Sequence, residues 1–61
     1  MKLYTLYIHD DRYSVPSLDA LSAVDDGAAE GLARARLDGS THYTAIEVWE
    51  EDRQVARVDR A

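Results

Sequence analysis

A chain of 61 residues with 46% apolar residues, a net charge of −5 and no cysteine makes one domain at most, and its composition is that of a folded rather than a disordered protein. The missing cysteines exclude disulfides, thiolate metal sites and thiol catalysis, and the acidity removes the counterion-release attraction on which nucleic-acid binding rests. It also repels anionic membranes, and because so short a chain buries only about 60% of its unfolded surface, association is the remaining support to expect.

The first element is Leu3 to His9, LYTLYIH, which alternates and is rich in Tyr, Thr and Ile. It predicts a strand. Tyr4, Leu6 and Ile8 point to one face of it, and Leu3, Thr5, Tyr7 and His9 to the other. The segment lacks the sustained apolar stretch and small-residue cleavage site of a signal peptide. No apolar run in the chain approaches the roughly 20 residues of a membrane span. A cytoplasmic protein is therefore expected.

Asp10-Asp11 predicts a turn, and Arg12 to about Val15 the returning strand. Pro16 has no amide hydrogen, so this arm is expected at a sheet edge or to end there. Ser17 to Ala23 reads equally as a helical turn carrying Leu18 and Leu21 or as an irregular edge strand.

Asp25-Asp26 predicts the start of a helix, with one carboxylate as N-cap and both suited to the positive end of the dipole. The helix is expected to reach about Leu37, with Ala28 or Ala29, Leu32, Ala33 and Leu37 on its apolar face. Arg34 and Arg36 fall in the last turns, where cations are favoured. Gly39 follows as a stop. Thr41 to Glu50 predicts a strand, Glu51-Asp52 a turn, and Arg53 to Val58 the last strand. The tail Asp59-Arg60-Ala61 is expected to fray.

Two hairpins flanking a helix predict an α+β domain of ββαββ type: a four-stranded antiparallel sheet with one helix on one face. A right-handed crossover makes the first and third strands neighbours and gives the order 2-1-3-4. Leu6, Ile8, Ile46, Val48 and Leu32 are expected to fill the helix side. Tyr4, Thr44, Ala56 and Val58 fall on that side by alternation.

One helix leaves the other face uncovered. By alternation that face holds Leu3, Thr5, Tyr7, Tyr43, Ala45, Trp49 and Val55, mixed with Glu47 and Arg57. Trp, Tyr and Arg are the residue types enriched at binding hot spots, and a contiguous apolar patch of this kind marks an interface. Tyr7, Tyr43, Glu47, Trp49, Val55 and Arg57 are accordingly the expected interface of a homodimer, two-fold pairs being the commonest assembly. The alternatives are an edge-to-edge dimer and, more plainly, a monomer with a half-wet second face, which antiparallel sheets tolerate.

Nothing marks a catalytic site. No serine sits in a GxSxG elbow, and the three glycines are isolated, so no phosphate-cradling loop exists. No enzymatic activity, no cofactor and no metal is expected. His9 followed by Asp10-Asp11 reads as a strand end and a turn. His9 and His42 are nevertheless the residues from which a divalent-ion or small-ligand site would be built. The acidic turn Glu50-Glu51-Asp52 offers another reading, an adaptor or antitoxin-like partner of a larger basic protein. Tyr4, Tyr7 and Trp49 resemble a base-stacking platform, against which the acidity argues.

The segment Ile46 to Val58, IEVWEEDRQVARV, follows a helix of DD…A…LARARL type. In this the chain resembles short uncharacterised bacterial proteins. Those begin with an aromatic-rich strand, turn at an Asp pair, carry an Ala/Arg-rich helix and end in an EVW…R.V hairpin. The resemblance implies a stand-alone ββαββ domain without an assigned activity, and it carries over no catalytic residue.

Overall fold

The computed structural model describes residues 1–60. They form β1 (Lys2–Asp10), β2 (Ser17–Ala23), α1 (Asp26–Leu37), β3 (Tyr43–Glu50) and β4 (Arg53–Asp59). The four strands make one sheet in the order β2-β1-β3-β4, every pair antiparallel. This is the expected ββαββ arrangement of an α+β domain. No helix among the described residues is long and apolar enough to cross a membrane.

Local chemistry accounts for most of the elements. Period-2 alternation in β1 sends Tyr4, Leu6 and Ile8 into the core, each at most 3% exposed. Asp25 is the N-cap of α1: its backbone is extended and its carboxylate accepts the Ala28 amide at 2.8 Å. Arg34 and Arg36 occupy the last turn. The β3–β4 hairpin turns at Glu51-Asp52, between the paired residues Glu50 and Arg53. Glu51 adopts φ 55°, the left-handed region that L-residues enter at a cost.

The core lies between α1 and one face of the sheet. Tyr4, Leu6, Ile8, Ile46, Val48 and Val58 meet Ala29, Ala33 and Leu37 of the helix. The helix thus contacts the sheet mainly through methyl groups spaced four residues apart, which brings the two backbones close. Leu32, expected in the core, is 48% exposed instead. It stands one residue, about 100° of helical turn, from Ala33 and so falls on the flank of the buried stripe.

Three other expectations need correction. The returning strand is not Arg12 to Val15 but Ser17–Ala23, paired from Ile8↔Ser17 to Lys2↔Ala23. Residues 11–16 are the connection instead. Asp10 organises it: its carboxylate accepts the Arg12 amide at 2.8 Å and two guanidinium contacts from Arg12 at 3.0 and 2.7 Å. Pro16 therefore sits just before the edge strand.

Two register shifts move side chains between faces. His9 pairs with Ala45 but Asp10 with Tyr43, which leaves Thr44 without a partner on β1. Tyr43 consequently packs against the core on the helix side, and Thr44, expected there, is exposed. In the same way Val48 pairs with Ala56 but Trp49 with Gln54, so Val55 is bulged out of the β4 ladder. Val55 then packs against the core beside Ala56. A bulge inserts one residue and so reverses the facing of everything beyond it.

The tail does not fray as far as it is described. Asp59 ends β4, and the Arg60 guanidinium donates to the carbonyls of Leu37, Ser40 and Tyr43. A cation thereby caps the C-terminal end of α1, where the dipole favours it. Ala61 lies outside the described residues.

Candidate functional site

The sheet face turned away from α1 carries the expected interface residues that the bulges leave in place. Reading across the strands, one row runs Leu18, Tyr7, Glu47, Arg57, and the next Ala20, Thr5, Trp49, Gln54. A third pairs His9, Ala45 and Asp59. The face is therefore divided. Its charged residues Glu47, Arg57 and Asp59 all lie on β3 and β4, whereas β2 and β1 contribute apolar, small or neutral side chains and His9.

Glu47 is the centre of the charged half. Its side chain is only 18% exposed. One oxygen, Oε2, lies 2.6 Å from His9 Nε2 and 3.6 Å from the Arg57 guanidinium. The other, Oε1, accepts the Trp49 indole N–H at 3.1 Å. The hydrogen bonds from His9 and then Trp49, with the charge of Arg57 beside them, hold the Glu47 carboxyl below the usual carboxylate range. Arg57 continues the network to Asp59 at 3.0 Å.

Trp49 in turn leans on Tyr7, the ring centroids 5.9 Å apart and tilted by 41°. This is within the range of favourable aromatic pairs. The polar atom of Trp49 is spent inside the face, on Glu47. The ring itself is left partly exposed, with no hydrogen bond to offer outward.

Of the six residues expected at the interface, Tyr7, Glu47, Trp49 and Arg57 are brought together on this face. Tyr43 and Val55 are on the helix side. His9, weighed in the sequence as a ligand, joins the group as a partner of Glu47. Leu18 was missed, because its strand was not assigned. Its row position beside Tyr7 follows only from the β1–β2 register.

His9 and His42 engage separate carboxylates. His42 Nδ1 lies 3.1 Å from Asp11, in the connection after β1. Among the described residues, no group of three His, Cys, Asp or Glu side chains is placed to hold a metal ion, and no pocket is present.

On the opposite side, Tyr4 donates its hydroxyl to Asp26 at 2.7 Å. Burial and then this bond push the Tyr4 hydroxyl up to about 12. Asp26 also receives Arg53 at 3.2 Å, which ties the start of α1 to the β3–β4 turn. These contacts fasten the helix to the sheet.

No family model matches the chain, and neither the curated proteins nor the solved structures contain a match to it.

Proposed function

We propose that this protein is a cytoplasmic, non-enzymatic interaction module that forms a homodimer through the uncovered face of its sheet. The observation that carries the reading is the Tyr7–Trp49 pair with its indole N–H already bound by Glu47. Such a pair presents apolar area at low conformational cost, and burial of the ring does not strand the indole N–H, which Glu47 already accepts.

The size of the face supports the same reading. The molecule measures 31 × 20 × 15 Å. Strands of seven to nine residues laid four abreast account for the two longer dimensions. The flat outline of the face is thus on the order of 600 Å², near the roughly 800 Å² that each partner buries in a specific complex. The face also carries both signs of charge, from Glu47, Arg57 and Asp59, so Arg57 of one copy has carboxylates of the other to oppose it.

Sedimentation equilibrium of the wild type and of Trp49→Ala at tens of micromolar, about the range of modest affinities, tests the proposal. Leu3→Lys places a charge on the same face at a position 67% exposed, where the fold does not depend on it. Both substitutions are expected to halve the mass of the wild-type assembly. A wild-type monomer, or an assembly that both variants leave intact, overturns the proposal.

A further inference from the structure

The two edges of the sheet are unlike. β4 is interrupted by the bulge at Val55 and carries Arg53, Arg57 and Asp59. Bulges and charges are the usual means of preventing a sheet edge from recruiting another strand. β2 has neither. Its register with β1 is unbroken over seven pairs, it contains no proline, lysine or arginine, and its one charged residue is Asp19.

Exposed apolar side chains gather on the same side of the molecule. Among the described residues, Met1, Leu3, Tyr13, Val15, Leu18 and Val24 are the large exposed ones apart from Leu32. All lie in β1, in β2, or in the chain adjoining them. None belongs to β3 or β4.

The orientation of the β2 backbone can be read from Asp19. The Ala20 amide donates to the Asp19 carboxylate at 2.9 Å, which marks it as an amide turned away from β1. Alternation then turns the N–H and C=O groups of Leu18 and Ser22 outward as well. Asp19 is itself held by Arg36 of α1 at 2.7 Å.

We propose that the β2 edge is a second self-association site, at which β2 of another copy pairs antiparallel through the outward backbone of Leu18, Ala20 and Ser22. The pairing goes beyond the face contact and is independent of it. Its hydrogen bonds run in the plane of the sheet, whereas the face contact stacks perpendicular to that plane, so one molecule accommodates both.

A two-fold axis at Ala20 sets Leu18 opposite Ser22 of the second copy and Asp19 opposite its Leu21. No like charges then face each other across the new ladder. Small residues, Ala20 and Ser22, occupy the seam on the uncovered face. The Ala20 amide exchanges the Asp19 carboxylate for a carbonyl of the second copy, and Asp19 keeps Arg36. The two sheets become one of eight strands whose centre is apolar, and the charged β4 edges lie at its ends.

Amide hydrogen exchange of the wild type at low and high protein concentration tests the pairing. Exchange at Leu18 and Ser22 is expected to slow by roughly tenfold or more as the protein associates, because amides on an unpaired edge exchange freely. Ala20→Pro removes an outward amide without breaking the β1 ladder, a position at which edge strands accept proline. It should reduce the mass of the assembly while far-UV circular dichroism is unchanged. Concentration dependence of exchange at Leu18 and Ser22 in Trp49→Ala, which removes only the face contact, tests the same edge should the proline variant fail to fold. Exchange at Leu18 and Ser22 that is independent of concentration overturns the proposal. If the mass of the assembly nevertheless falls in Trp49→Ala, the face contact survives without the edge. If the edge amides are protected and Trp49→Ala has no effect on mass, the edge stands and the face contact fails.

Discussion

Glu47 and Trp49, two residues apart on β3, are joined by a 3.1 Å hydrogen bond from the indole nitrogen to Oε1. Residues at this spacing project from the same face of a strand, so the bond lies along the uncovered surface. It fixes the ring of Trp49 against Tyr7. It also makes Glu47 the single acceptor for His9 and Trp49 and a neighbour of Arg57. Glu47→Ala should strand these donors and cost about 1–3 kcal/mol of stability. Glu47→Gln keeps an acceptor for the indole and should cost less than half as much. Urea unfolding followed by tryptophan fluorescence measures both, and the native emission of Glu47→Ala should also shift as the ring loosens.

Asp10 contributes to the acid limb of the stability curve, together with Asp19, Asp26 and Glu47, whose carboxyls are also held below their ordinary values by their hydrogen-bond partners. The Arg12 hydrogen bonds hold its carboxyl at about 2, below its ordinary value of 3.8. A depressed carboxylate stabilises the fold fully above its unfolded value, and that contribution is lost as the pH falls through the folded value. Stability should therefore decline between pH about 4 and about 2. Asp10→Asn should be less stable at neutral pH and should flatten this part of the curve. Thermal melts at pH 7, 4 and 2 check it. Equal pH dependence in wild type and variant would refute the assignment.

Arg60 is expected to matter more than its place near the chain end suggests. Its guanidinium reaches the carbonyls of Leu37, Ser40 and Tyr43. It thus joins the end of α1 to the start of β3. Arg60→Ala should cost on the order of 1.5–3 kcal/mol, the range for hydrogen bonds to a charged group. Arg60→Lys should recover only part, since one ammonium cannot reproduce a fork of donors. Denaturant midpoints of the three proteins decide the point.

The β3–β4 turn carries a strained residue. Glu51 sits at φ 55°, where an L-residue is disfavoured and glycine is not. Glu51→Gly should stabilise the protein by roughly 1 kcal/mol through relief of this strain. A lower urea midpoint in the variant would show that the Glu51 side chain has a stabilising role of its own.

Much of the fold is legible in the sequence because it is written in local chemistry. Alternation gives β1, β3 and β4. The Asp25 cap and the Arg34–Arg36 end give α1, and the paired hairpins give the strand order. β2 is legible only in part, because Ser17–Ala23 is made of small and mixed residues whose strand conformation comes from pairing with β1. Leu32 is misplaced by counting apolar residues alone, since the helix docks through Ala29 and Ala33. The bulges at Thr44 and Val55 are registers, and a register belongs to two strands at once. Alternation along one strand cannot reveal it, and for this reason Tyr43 and Val55 are expected on one face and found on the other. Tyr7 and Glu47 pair before the shift at His9, Glu47 pairs with Arg57 before the shift at Val48, and Trp49 shares β3 with Glu47, so once the strands are paired period 2 places all four on a common face.

The central claim is that the uncovered sheet face binds a second copy, and sedimentation equilibrium of wild type against Trp49→Ala tests it most directly. The wild type should exceed the 6.9 kDa of a single chain, and the mass should fall by half in the variant with secondary structure intact. A wild-type protein at the mass of one chain at tens of micromolar, roughly where modest affinities saturate, would contradict the account, as would an assembly whose mass is unchanged both in Trp49→Ala and in Leu3→Lys.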